Sequence, residues 1–126
     1  MSVARLFLLA TGIFFLAVYA LPLTLAPLRW ARWFRWPLPT DTRLASYFGR
    51  CVGVLAIVVL GQIVYGAVSA AAQPTALALV AAIGGLMTAL HTYGALRRVQ
   101  PWTEDAEVVL YLGATVLALW LRGMPA

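Results

Sequence analysis

Three ionisable residues each interrupt a different apolar run: Arg50, His91 and Glu107. Counting from the centre of each run, all three lie six or seven residues toward the same side, about 10 Å at 1.5 Å per residue. A charge at that depth in a bilayer is expensive unless paired, and it normally faces a bundle interior. Arg50 and Glu107 are therefore expected to be ion-paired or water-bridged, with His91 beside them. Tyr47, Tyr93 and Tyr111 could supply hydroxyls to the same layer. Such a layer could hold a small ligand, a quinone head group or a proton. It could equally be a structural clamp, with Arg50 reaching out to the interface.

The elements that position these groups follow from composition. Of 126 residues, 63% are hydrophobic and 10% charged, where a soluble domain carries about a quarter charged residues. With a mean hydropathy of +0.91, the chain reads as an all-α integral membrane four-helix bundle, a single transmembrane domain over 1–126. The four helices are expected at 5–28, 42–70, 74–96 and 104–121. The first run could pass for a signal peptide, but it continues to Leu28 and is read as a retained span. Thr40 or Asp41 is expected to cap the second helix and Thr103 the fourth. Glu104, Asp105 and Glu107 would then suit the positive end of the fourth helix's dipole.

Small residues recur at four-residue spacing: Gly49 and Gly53 on helix two, and Ala81, Gly85 and Ala89 on helix three. Such stripes let helices approach closely in lipid. They are expected at helix–helix contacts, within one bundle or between copies.

All nine basic residues are arginine, and the net charge is +5. Arg29, Arg32, Arg35, Arg43, Arg50, Arg97 and Arg98 lie in or beside the first and third connections, and only Arg5 and Arg122 lie at the other side. The positive-inside rule then puts those two connections in the cytoplasm and both termini outside, in a bacterial inner membrane. The connection 29–41 opens with "RWARWFRW". In a soluble protein, alternating Arg and Trp would suggest nucleic acid. Here it is read as a short interfacial segment. Trp30, Trp33 and Trp36 would sit at head-group depth, and Arg29, Arg32 and Arg35 would reach anionic phosphates. The alternative is packing onto the bundle's own end.

Much chemistry is excluded. One cysteine, Cys51, permits no internal disulfide, no CxxC pair and no cysteine-rich metal site. One histidine is too few for a bis-histidine haem. No GxGxxG, P-loop, HExxH or GxSxG occurs. The sequence thus suggests no enzyme, no metal ligand set and no intrinsic cofactor, with lipid or quinone as candidate ligands.

"FGRCVGVLAIVVLG" and "HTYGALRRVQPWTEDAEVVLYLG" together resemble the DoxX-like group of small bacterial four-helix membrane proteins. The likeness covers about half the chain. It implies the four-helix fold, and some members of that group are linked to quinone-dependent oxidation. Two functions stand open. One is an accessory subunit of a larger bacterial membrane complex, respiratory or photosynthetic, packing helices and anionic lipid against other membrane subunits. The other is an independent quinone- or small-molecule-interacting protein, or small transporter, using the Arg50/His91/Glu107 layer.

Overall fold

A computed structural model describes residues 1–124 and is all-helical among them. Four helices are long and apolar enough to cross a bilayer: α1 (Val3–Leu25), α3 (Arg43–Val68), α4 (Gln73–Arg97) and α5 (Trp102–Gly123). A short helix, α2 (Pro27–Trp33), lies between α1 and α3. The chain is a small helical membrane protein.

The first helix is not uniform. Residues Leu16–Ala20 form a π-turn, where one residue more than usual is fitted into the winding. Pro22 follows and has no N–H to offer the carbonyl of Val18, four residues back. The Trp30 indole N–H donates to that carbonyl instead, at 2.9 Å. A proline in α1 thus frees an acceptor, and a tryptophan of α2 docks on it. Ala26, at φ −144° and ψ 61°, ends α1 three residues before the expected boundary, and buried Pro27 starts the next helix.

Helices α4 and α5 pack most extensively on each other. Their shared seam reads Leu77, Val80, Gly84, Met87, His91 and Gly94 on one side. On the other it reads Glu104, Glu107, Tyr111, Ala114, Ala118 and Leu121. Both alternate steps of three and four, the period that keeps one face of a helix toward a partner. At Gly84 a Cβ would collide with Thr115 and crowd the Tyr111 carbonyl, so a side chain there would force the helices apart.

Gly49 and Gly53 lie against the first segment of the chain: Gly49 meets Pro27, and Gly53 meets Thr24 and the Ala20 carbonyl. On α4 the expected stripe is displaced by one position. Gly84 makes the close approach; Gly85 only reaches the Thr115 methyl, Ala81 flanks the core and Ala89 is exposed. The seam of larger buried residues sets that rotation, so Ala89 is no packing residue within this bundle.

The apolar core gathers at the end that carries the termini and the turn 69–72. Leu8, Leu60, Ile63, Ala67, Ala76, Leu77, Val80, Ala118 and Leu121 are buried there. Gly66 lets Ala76 close against α3 beside that turn.

The caps differ from expectation. Thr42 precedes α3 without a side-chain cap, although the Asp41 carboxylate accepts the Arg43 N–H at 3.0 Å. Helix α5 begins earlier, after Pro101, so Thr103 lies inside its first turn. Its hydroxyl donates to the Phe34 carbonyl and ties α5 to the first connection.

Candidate functional site

At the end opposite the core, the α4–α5 seam changes character. His91, Glu104 and Glu107 project into it, and their side chains are only 6%, 8% and 7% exposed. Glu104 and Glu107 share a face of α5 because residues three apart are helix neighbours. His91 Nε2 lies 3.0 Å from Glu104 Oε2 and 3.4 Å from Glu107 Oε2. His91 Nδ1 is 2.8 Å from the Met87 carbonyl, which can only accept, so Nδ1 carries a proton and donates it.

The remaining oxygen of each carboxylate is also taken. Tyr19 donates its hydroxyl to Glu107 Oε1 at 2.9 Å. The Trp36 indole donates to Glu104 Oε1 at 2.8 Å. Gln100 reaches the backbone behind the histidine, donating to the His91 carbonyl and to Asp105, each at 2.9 Å. The Tyr111 ring lies 5.1 Å from the His91 ring, and its hydroxyl reaches Glu107. No buried side-chain polar atom among the described residues lacks a partner.

Two backbone devices deliver the donors. The π-turn in α1 holds Tyr19, whose ring packs against Phe15, Trp30 and Phe34. At the end of α2, Arg35 adopts a left-handed conformation, φ 62°. The Arg35 N–H bonds to the Arg32 carbonyl and the Trp36 N–H to the Ala31 carbonyl. This is a Schellman-type ending, which reverses the chain and turns Trp36 back toward α5. Arg98 closes α4 in the same way.

The sequence-derived layer is therefore revised. His91 and Glu107 meet, but Arg50 is exposed and the partners of Glu107 are Tyr19 and His91. Arg50 follows Gly49 by one residue, and Gly49 faces inward against Pro27, so Arg50 is rotated off that face. Tyr47 and Tyr93 are 64% and 61% exposed and lie outside the cluster. Glu104, Tyr19 and Trp36 were not foreseen as members. Glu104 was legible: 104, 107, 111, 114, 118 and 121 form one stripe. Tyr19 depends on the π-turn, which no hydrophobic pattern announces.

The Arg/Trp segment splits. Arg29, Arg32, Arg35 and Trp33 are exposed, as an interfacial role requires. Trp30 and Trp36 instead turn inward onto Val18 and Glu104. Trp30 also stacks on Phe34 at 4.4 Å. The three indoles do not gather on one face: Trp33 is exposed, and past the end of α2 the left-handed Arg35 turns Trp36 back. The Arg35 guanidinium lies 5.8 Å from the Trp102 ring, within cation–π range.

A cleft of about 700 Å³ leads from this cluster down the bundle. Its upper part is bordered by His91, Glu104, Glu107, Trp36 and Gln100, and its length by apolar residues such as Phe15, Val59, Ile63 and Ile83. Val52 and Leu55 of α3 and Leu90 of α4 line it and are also exposed, so the cleft opens sideways between α3 and α4. These helices meet at Gly66 and Ala76 and part toward the cluster. Compared with protein-family models, curated proteins and solved structures, the chain matches none. Fold and site together define a helical membrane protein with a buried His/Glu/Glu cluster at the head of a laterally open apolar cleft.

Proposed function

We propose that this protein binds a lipophilic small molecule that enters sideways between α3 and α4 and lodges an oxygen-bearing head beside His91, Glu104 and Glu107. The observation that carries this reading is the cleft of about 700 Å³, apolar along its length apart from Thr11, with its ionisable groups gathered at one end. Ligand pockets commonly measure about 300–1,000 Å³ and combine apolar walls with a few convergent polar groups. An isoprenoid quinone or quinol matches this division, with ring oxygens for the polar end and a chain for the shaft. The resemblance to the DoxX-like group supports the same chemical class. The arginine distribution supports a cytoplasmic position for the polar end.

An accessory-subunit role draws less support. The exposed apolar residues of α3 and α5 are what any lipid-facing helix presents, so they do not favour a protein partner over lipid.

The test uses full-length protein in nanodiscs and decylubiquinone in its oxidised and reduced forms. Trp30 and Trp36 border the cleft, so occupancy should quench tryptophan fluorescence saturably. Ala56 and Ala114 line the shaft; Ala56→Phe and Ala114→Phe should weaken binding about tenfold or more by filling it. Quenching that is linear in ligand for both forms, or unchanged in both variants, would reject the proposal.

A further inference from the structure

We infer that His91, Glu104 and Glu107 hold one divalent first-row transition-metal ion, each giving one ligand atom. This inference does not rest on the quinone reading.

Most polar atoms of the cluster are tethered from outside, and the Tyr111 hydroxyl also reaches Glu107. The Met87 carbonyl fixes the Nδ1 proton of His91. Tyr19 and Trp36 occupy the outer oxygens of Glu107 and Glu104. Three atoms are left facing one another: His91 Nε2, Glu104 Oε2 and Glu107 Oε2. In a neutral imidazole with a protonated Nδ1, all three are electron-pair donors to a cation. Metal-binding histidines characteristically give their other N–H to a carbonyl, and ligating carboxylates are tethered by outer hydrogen bonds. All three residues here carry such a tether.

The spacing of these atoms also suits a metal ion. Metal–ligand bonds of about 2.1 Å at angles between octahedral and tetrahedral put neighbouring ligand atoms about 3.0–3.4 Å apart. Nε2 lies 3.0 Å and 3.4 Å from the two carboxylate oxygens, and all the candidate ligand atoms fall within 4.8 Å of one another.

Charge points the same way. Two carboxylates in a low-dielectric interior need compensation. Arginine does not supply it: Arg50, Arg97 and Arg98 are exposed, neither carboxylate has an arginine ion pair among the described residues, and a protonated His91 between them would offset only one of the two charges. A divalent cation beside two carboxylates and a neutral imidazole leaves the set neutral. One nitrogen with two carboxylate oxygens suits manganese, iron or zinc better than calcium or magnesium, which take oxygen ligands. Three protein ligands leave coordination positions free, and the same three residues border the cleft. An oxygen of a bound head group could complete the shell.

The experiment strips purified full-length protein with EDTA and titrates Zn²⁺, Mn²⁺ and Co²⁺ separately, without quinone. Saturable uptake of one ion per chain is expected for at least one of them. His91→Ala and Glu104→Gln/Glu107→Gln should abolish it. Trp36→Phe and Tyr19→Phe should weaken it by about ten- to a hundredfold, the usual effect of losing an outer tether. Asp41→Asn, at an exposed ion pair outside the cluster, should leave it unchanged. Because cluster variants could misfold, the wild-type protein is also read by X-ray absorption. A nitrogen/oxygen shell near 2.1 Å with an imidazole signature is expected. No saturable uptake by wild type, a shell without imidazole, or uptake that survives in correctly folded Glu104→Gln/Glu107→Gln would overturn the inference. Quinone binding without metal uptake would sink the metal site alone; metal uptake without quinone binding would sink the ligand reading alone.

Discussion

At the end near the turn 69–72, the α4–α5 seam carries Leu77, Val80, Ala118 and Leu121; at the other end it carries His91, Glu104 and Glu107. The spacing of three and four is continuous through both. What differs is closure. Gly66 and Ala76 bring α3 against α4 at the first end, whereas at the second the cleft keeps them apart. The apolar end is held by packing, which is insensitive to orientation and tolerant of similar shapes. The polar end is held by directed hydrogen bonds, each from a different element: α1 gives Tyr19, the segment after α2 gives Trp36, α4 gives His91 and α5 gives both glutamates. Close apolar packing is concentrated at one end of the bundle, and directed polar contacts at the other.

The largest expected effect breaks the sealed end. Leu8 is fully buried among the core residues. Leu8→Ala removes its transfer energy and leaves a cavity, at about 2–5 kcal/mol. Denaturant unfolding in detergent micelles should show this loss. Metal uptake by the fraction that remains folded should be unchanged, because Leu8 lies at the far end. A Leu8→Ala protein as stable as wild type would mean the apolar end is not where stability resides.

The next effect falls on the polar end. Trp36→Phe keeps an aromatic ring but removes the donor to Glu104, leaving one oxygen of a buried carboxylate without its partner. Hydrogen bonds to charged groups contribute about 1.5–3 kcal/mol, so unfolding should shift by less than for Leu8→Ala. Ligand and metal affinity should fall at the same time. That split is the sharper form of the comparison: one variant costs stability and spares binding, the other costs less stability and impairs binding. Equal losses of both in the two variants would erase the distinction between the ends.

How much of this was legible in the sequence follows the same division. The four spans, their order and the long first connection could be read because apolar length and proline position decide them. The contacts of Gly49 and Gly53 could be anticipated as a stripe, though not that Pro27 and Thr24 face it. His91 and Glu107 were singled out by depth alone, since depth follows from residue counting. Depth says nothing of rotation, so it cannot tell that Arg50, level with the cluster, faces away from it. Glu104 was assigned to the helix dipole because it sits in a first turn; the stripe running through Tyr111 to Leu121 shows that it also faces inward. Tyr19 and Trp36 depend on a π-turn and a left-handed arginine. Both are tertiary outcomes with little local signal.

The smallest effect concerns charges outside both ends. Asp41 and Arg43 form an ion pair with N–O 3.1 Å, the side chains 92% exposed for Arg43 and 64% for Asp41. The Arg43 side chain, and then its N–H, hold the Asp41 carboxyl below its ordinary 3.8. A carboxyl lowered by folding adds stability that is present above 3.8, the value in the unfolded chain, and lost as pH falls through the folded value. The contribution should therefore be constant around neutrality and disappear only in strong acid. Water screens so exposed a pair, so Asp41→Asn should leave the unfolding midpoint at pH 7 within experimental error. Any deficit should be gone once the pH lies below the lowered folded value. The contrast with Glu104 makes this variant informative. Both carboxylates accept a hydrogen bond near 3 Å from a nitrogen donor, and they differ chiefly in burial. If Asp41→Asn proved as damaging as Trp36→Phe, burial would not be what sets the cluster apart. The weight given to the His91/Glu104/Glu107 end would then have to move to the connection that leads into α3.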